Sequence, residues 1–74
     1  MSLLKPGIYK HYKGKWYEVI AVAKHSETLE DYVVYKPLYE SEFPLWIRPL
    51  KMFLENVNFE GCIVPRFTFV SEKL

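Results

Sequence analysis

Pro6-Gly7-Ile8-Tyr9-Lys10-His11-Tyr12-Lys13-Gly14-Lys15-Trp16-Tyr17-Glu18-Val19 is the stretch whose reading decides the fold. Runs rich in aromatic and β-branched residues flank Lys13-Gly14, a turn signal, so the chain doubles back as an antiparallel hairpin. With Tyr12 opposite Lys15, His11 faces Trp16, Tyr9 faces Glu18 and Ile8 faces Val19. Ile8, Tyr12, Tyr17, Val19, Ala21 and Ala23 then share a face that reads as core. Tyr9, His11, Trp16 and Glu18 begin the other face. It turns apolar at Ile20 and Val22, as in a strand that leaves the surface and bends. A register one residue different exchanges the two faces.

The same alternation of apolar runs and turn signals continues outward from this hairpin. Strands are expected near 7–12, 15–24, 31–39, 45–48, 54–59 and 62–70. Pro6-Gly7, the polar stretch 24–31, Pro37, Pro44, Pro49 and Glu60-Gly61 mark the breaks. Glu60-Gly61 predicts a second hairpin, and Pro65 argues for an edge strand or a bulge there. Pro49-Leu50-Lys51-Met52-Phe53-Leu54 is the one candidate for a helical turn, with Leu50, Phe53 and Leu54 on one face. The pattern predicts a mostly β, small SH3-like antiparallel barrel of five or six short strands with one short helical turn. An open curved sheet is the alternative.

Seventy-four residues predict one domain spanning 1–74. A chain this small buries only roughly 60% of the surface its unfolded form exposes. Aromatic residues at 18% offset that, because each ring removes a large area from water. Most of them, including Tyr32, Tyr35, Tyr39, Phe43, Phe53, Phe59, Phe67 and Phe69, are expected in the core. The lone Cys62 cannot close an internal disulfide, which points to a reducing cytoplasm, and it reads as buried or half-buried. The start, Met1-Ser2-Leu3-Leu4-Lys5-Pro6, has no apolar run long enough for a signal peptide or a membrane span, so no membrane partner is expected. A net charge of +1 exerts no overall pull on nucleic acid. The charges are nevertheless segregated. Lys5, Lys10, Lys13, Lys15 and Lys24 face Glu18 alone in the first third, whereas Glu27, Glu30, Asp31, Glu40 and Glu42 follow. Such segregation either orients a polar ligand or reflects lysines that solubilise strand edges.

The motif order is also familiar. Pro6-Gly7-Ile8-Tyr9-Lys10-His11-Tyr12-Lys13-Gly14, Tyr17-Glu18-Val19, Ala23-Lys24-His25-Ser26-Glu27-Thr28-Leu29-Glu30 and Val33-Val34-Tyr35 open the series. Leu38-Tyr39, Leu45-Trp46-Ile47-Arg48-Pro49, Met52-Phe53 and Val64-Pro65-Arg66-Phe67 complete it. Together they resemble the small bacterial proteins grouped as domain of unknown function sixteen-fifty-three, over nearly the whole chain. The resemblance implies a bacterial, cytoplasmic, stand-alone domain and transfers no catalytic residue.

The polar stretch His25-Ser26-Glu27-Thr28 concentrates hydrogen-bonding chemistry where a strand ends, on a scaffold otherwise apolar. Its plainer reading is turn formation, since hydroxyls and carboxylates satisfy backbone N–H groups. His25 and Ser26 point to opposite sides of an extended chain, so the histidine is no ready base for the serine. His11, His25 and Glu27 are metal-ligand types, but the two histidines lie on the order of 30 Å apart along a straight strand at about 3.3 Å per residue, and no metal is expected. The three glycines stand far apart, so no phosphate loop and no cofactor are expected. In Leu45-Trp46-Ile47-Arg48-Pro49, Trp46 and Arg48 share one face and offer a stacking, anion-pairing platform, or else a core indole edged by an arginine. Arg66 follows Pro65 and alternates with Phe67, so it points outward or into a groove.

These residues favour a recognition module without catalysis. The expected site joins His25, Ser26, Glu27 and Thr28 to Trp46, Arg48 and Arg66, with Tyr9, His11 and Trp16 as a second surface. Single-stranded nucleic acid or a nucleotide is the first ligand class. The alternatives are a protein partner added along a strand edge, a homodimer, and an enzyme using His25 and Glu27 as acid and base.

Overall fold

The computed structural model describes residues 4–73. Met1 to Leu3, on which the reading of the chain start partly rests, and Leu74 lie outside the described residues. The chain forms β1 (Gly7–His11), β2 (Trp16–Lys24), β3 (Asp31–Pro37), β4 (Trp46–Pro49), α1 (Leu50–Phe53), β5 (Asn56–Phe59), β6 (Cys62–Pro65) and β7 (Phe67–Ser71). Five strands make one antiparallel sheet in the order β4-β3-β2-β1-β7, while β5 and β6 form a separate hairpin. The protein is therefore mostly β with one short helix, as expected. The closed SH3-like barrel is not found: β4 and β7 end the sheet, each paired with a single neighbour. The expected last strand, 62–70, divides at Arg66. Its first part pairs with β5 and its second with β1, because Pro65 cannot donate to a continuing ladder.

The first hairpin forms, one residue out of the expected register. Lys10 pairs with Trp16, Tyr9 with Tyr17 and Ile8 with Glu18. The loop holds three residues, Tyr12-Lys13-Gly14, instead of two. His11 N–H donates to the Lys15 carbonyl at 2.7 Å, and Gly14 N–H to the His11 carbonyl at 2.8 Å. Gly14 takes a φ of +104°, which glycine adopts without a Cβ penalty. That slip carries Tyr9 into the core beside Val19, while Trp16 stays on the opposite face as expected. The expected bend in the second strand is a bulge: Val19 pairs with Tyr35 but Ala21 with Val34, leaving Ile20 as the extra residue. Both Val19 and Val22 can thus face the core although they are three apart.

The core lies on one face of the sheet. Tyr9, Val19, Val33, Tyr35 and Phe67 point into it, and Leu50 and Phe53 of α1 cover them. Phe53 and Phe67 stack with centroids 4.0 Å apart. Pro49 precedes the helix as its N-cap (φ −52°, ψ 138°), with no side-chain cap. Leu54, expected on the buried face, ends the helix exposed. Tyr39, Phe43, Phe59 and Phe69 also stay exposed, against the expectation that most rings are core, because a sheet covered by so short a helix cannot bury them all. Cys62 is exposed too, at the start of β6 beside the turn.

Candidate functional site

The β2–β3 connection, which carries the expected polar site, is a self-contained loop. His25 Nδ1 accepts from the N–H groups of Glu27 (3.2 Å) and Thr28 (3.3 Å). Thr28 Oγ1 accepts from Glu30 N–H at 3.2 Å, and His25 N–H donates to the Glu30 carbonyl at 2.8 Å. The histidine and threonine thus satisfy the loop's own backbone, which is the turn-forming reading of these residues. Ser26 and Glu27 are exposed. The ring of His25 lies 5.8 Å from Tyr32. Among the described residues, no hydrogen bond, ion pair or ring contact joins this loop to Trp46, Arg48 or Arg66.

Those three residues are differently engaged. Trp46 pairs with Tyr35 and Arg48 with Val33, so both lie on the core-side face at the rim of the sheet. The indole is half-exposed and meets Phe43 edge-on at 5.5 Å. Arg48 is half-buried. Its Nε donates to the Tyr35 hydroxyl at 3.3 Å, and its guanidinium lies over the Phe67 ring at 5.8 Å. Arg66 is a structural tie. Its Nη2 donates to Glu55 Oε1 at 2.8 Å and its Nε to the Met52 carbonyl at 3.1 Å, fixing the end of α1 to the start of β7.

The expected second surface does not form. Tyr9 is buried, and its hydroxyl donates to the Lys5 carbonyl at 2.6 Å. Burial pushes its phenol above the ordinary tyrosine value. Trp16 faces the other side of the sheet. His11 instead joins Arg48 around Phe67, with ring centroids 4.9 Å apart. Partial burial, followed by the charges of Arg48, Arg66 and Lys13, holds His11 below the usual histidine range. Its Nδ1 accepts from Lys13 N–H at 3.2 Å, so the neutral ring carries its proton on Nε2.

Residues outside the expected site complete this cluster. Tyr17 lies 5.6 Å from Phe67 and 5.4 Å from Tyr35, and its hydroxyl shares a 2.9 Å hydrogen bond with Tyr39. Burial and that hydrogen bond push the Tyr17 phenol up, with Arg48 pulling the other way. Two lysines border the network, Lys13 over Tyr12 (5.8 Å) and Lys15 over Tyr39 (4.7 Å), while Lys10 lies over Trp16 (5.8 Å) on the other face of the sheet. Among the other cations, Lys5 pairs with Glu72, Lys24 with Asp31, Lys36 with Glu18 and Arg66 with Glu55, whereas the exposed Lys51 and Lys73 meet no carboxylate among the described residues. Among the described residues, Lys10, Lys13, Lys15 and Arg48 have no carboxylate partner. The signal available in the sequence was the alternation of lysines with aromatic residues from Lys10 to Tyr17. The contribution of Tyr35, Tyr39 and Phe67 depends on long-range register and left no local sign.

Chemically, the surface offers fixed positive charge, tyrosine hydroxyls and exposed rings, with a neutral imidazole between. Among the described residues, no cluster of three or more His, Cys, Asp and Glu side chains is placed to hold a metal ion. No helix among them is long and apolar enough to cross a membrane.

Comparison with known proteins returns a family model described as Protein of unknown function (DUF1653), matching residues 7–69. The chain is also similar to a protein of that family from Bordetella bronchiseptica, known from a crystal structure. The two are 37% identical with a TM-score of 0.88, covering 95% of this chain and 91% of the other. No curated protein matches.

Proposed function

We propose that this chain, which belongs to the DUF1653 family of proteins of unknown function, is a recognition module for an anionic ligand that also carries a ring. Single-stranded nucleic acid or a nucleotide is the ligand class. Arg48 carries the reading. It is a half-buried guanidinium held by a phenol and an aromatic face, and among the described residues no carboxylate neutralises it. A cation kept partly out of water without an anion is costly, and an incoming phosphate removes that cost through charge-assisted hydrogen bonds. Trp46, two residues along the same face, supplies a stacking surface, and Lys13 and Lys15 extend the positive border. The turn residues His25, Ser26, Glu27 and Thr28, and the paired Arg66, are not part of the surface we propose.

The test is an amide chemical-shift titration of the labelled chain with short single-stranded oligonucleotides and with nucleotides, at low and moderate salt. Expected are saturable shifts around Trp46–Arg48, Tyr17 and Lys13–Lys15 that weaken as salt rises. Absence of shifts at millimolar ligand would sink the reading. A protein-interaction role has its own support in the exposed Phe43, Leu45 and Ile47 beside β4. A concentration-dependent dimer in gel filtration, with no response to oligonucleotides, would favour it.

A further inference from the structure

On the other face of the sheet, a groove of about 390 Å³ runs between the β1–β7 pair and the β5–β6 hairpin. Lys10, Thr68 and Val70 form its floor, where Lys10 pairs with Thr68. Phe59, Val64 and Pro65 of the hairpin form its wall, and Tyr12 closes one end, meeting Phe59 edge-on at 5.4 Å. His11 lies at the same end. The volume is in the range of small-molecule sites, and the lining is mostly apolar with a few polar groups, as such sites usually are.

The polar groups are all of one kind. Lys10 is the single charged lining residue, no carboxylate lines the groove, and Lys10 has no ion-pair partner among the described residues. The Thr68 hydroxyl can donate beside it. The groove thus presents one cation and a neutral hydroxyl donor beside an apolar wall.

We infer that this groove binds a small apolar or aromatic carboxylate, its body laid on Tyr12, Phe59, Val64 and Val70 and its carboxylate met by Lys10 and Thr68. One lysine with a neutral donor matches a single negative charge. The site is separate from the Arg48 surface and does not depend on it.

Naphthalene-2-carboxylate, its neutral carboxamide and 2-naphthylmethylamine, titrated into the labelled intact chain, test this directly. The carboxylate is expected to shift the amides of Phe59, Val64, Thr68 and Val70 saturably. The carboxamide is expected to bind about tenfold more weakly, and the amine not at all. Lys10→Gln should cost about tenfold, and Val70→Glu, which places a carboxylate at an exposed position on the floor, should abolish binding. Arg48→Gln should leave the groove shifts of Phe59, Val64, Thr68 and Val70 unchanged. Equal binding of the three probes would overturn the inference, since it would mark plain apolar adsorption. So would shifts confined to the Arg48 surface that vanish in Arg48→Gln, or no saturable shift with any probe.

Discussion

Arg48 and Arg66 flank Phe67 from different elements, and their surroundings give them different roles. Arg66 is mostly buried and spends its donors on Glu55 and the Met52 carbonyl. Arg66→Ala leaves that carbonyl without its arginine donor, and hydrogen bonds to charged groups contribute about 1.5–3 kcal/mol. Urea denaturation should show a loss of that order. Arg48 has one long hydrogen bond and a ring contact, so Arg48→Gln should cost less than about 1 kcal/mol while removing anion binding. His11 sets the pH response. Its folded pKa lies below the unfolded value because of burial and of Arg48, Arg66 and Lys13. Its contribution to stability is therefore complete above the unfolded pKa of 6.5 and is lost as pH falls through and below that value. Protonation also puts a hydrogen on Nδ1 and ends its bond to Lys13 N–H. The melting temperature should fall on acidification from pH about 7.5 to about 5. In His11→Gln, part of that slope should disappear.

At the scale of elements, two glycines make opposite demands. A Cβ on Gly7 would stand 2.6 Å from the Ser71 carbonyl oxygen and 3.0 Å from the Phe69 ring, at a φ of +144°. Gly7→Ala must push β7 off β1 and should cost on the order of 2–4 kcal/mol, combining overpacking with backbone strain. Gly14 has open space around it, so Gly14→Ala meets only the left-handed strain of about 1–2 kcal/mol. Paired denaturation curves check the difference. Where a local signal fixed an element, it was legible in the sequence. Glu60 and Gly61 take positive φ in the turn between β5 and β6, and the short helix follows Pro49. The register of the first hairpin was not legible, because Lys13-Gly14 is compatible with loops of two or three residues and only the tertiary fit chooses. The bulge at Ile20 and the division at Arg66 were hidden for the same reason. They answer to partners distant in sequence. The shared face of Trp46 and Arg48 followed from alternation alone. The His25 loop drew a site assignment because residue types do not reveal that Nδ1 points back at its own backbone.

Across the whole molecule, net charge says little and its placement says more. Acidic side chains neutralise Lys5, Lys24, Lys36 and Arg66. Among the described residues Lys10, Lys13, Lys15, Lys51, Lys73 and Arg48 have no carboxylate partner, and of these Lys13, Lys15 and Arg48 border the tyrosine network. Exposed cations of this kind attract a polyanion over roughly one Debye length, about 10 Å at 0.1 M salt. Binding should therefore be strongly salt-dependent, and it should tolerate changes in base sequence because rings stack on any base.

The most direct measurement is the affinity of a short oligothymidylate for the wild-type chain, for Arg48→Gln and for a Lys13→Gln, Lys15→Gln variant, across a salt series. Each phosphate neutralised on a single strand contributes about −0.7 to the slope of log affinity against log salt, so three cations predict a slope of about −2. The double variant should bring it to about −0.7, and Arg48→Gln should lower affinity at every salt concentration. No binding at low salt, or a slope that both variants leave unchanged, would contradict an anion surface centred on Arg48.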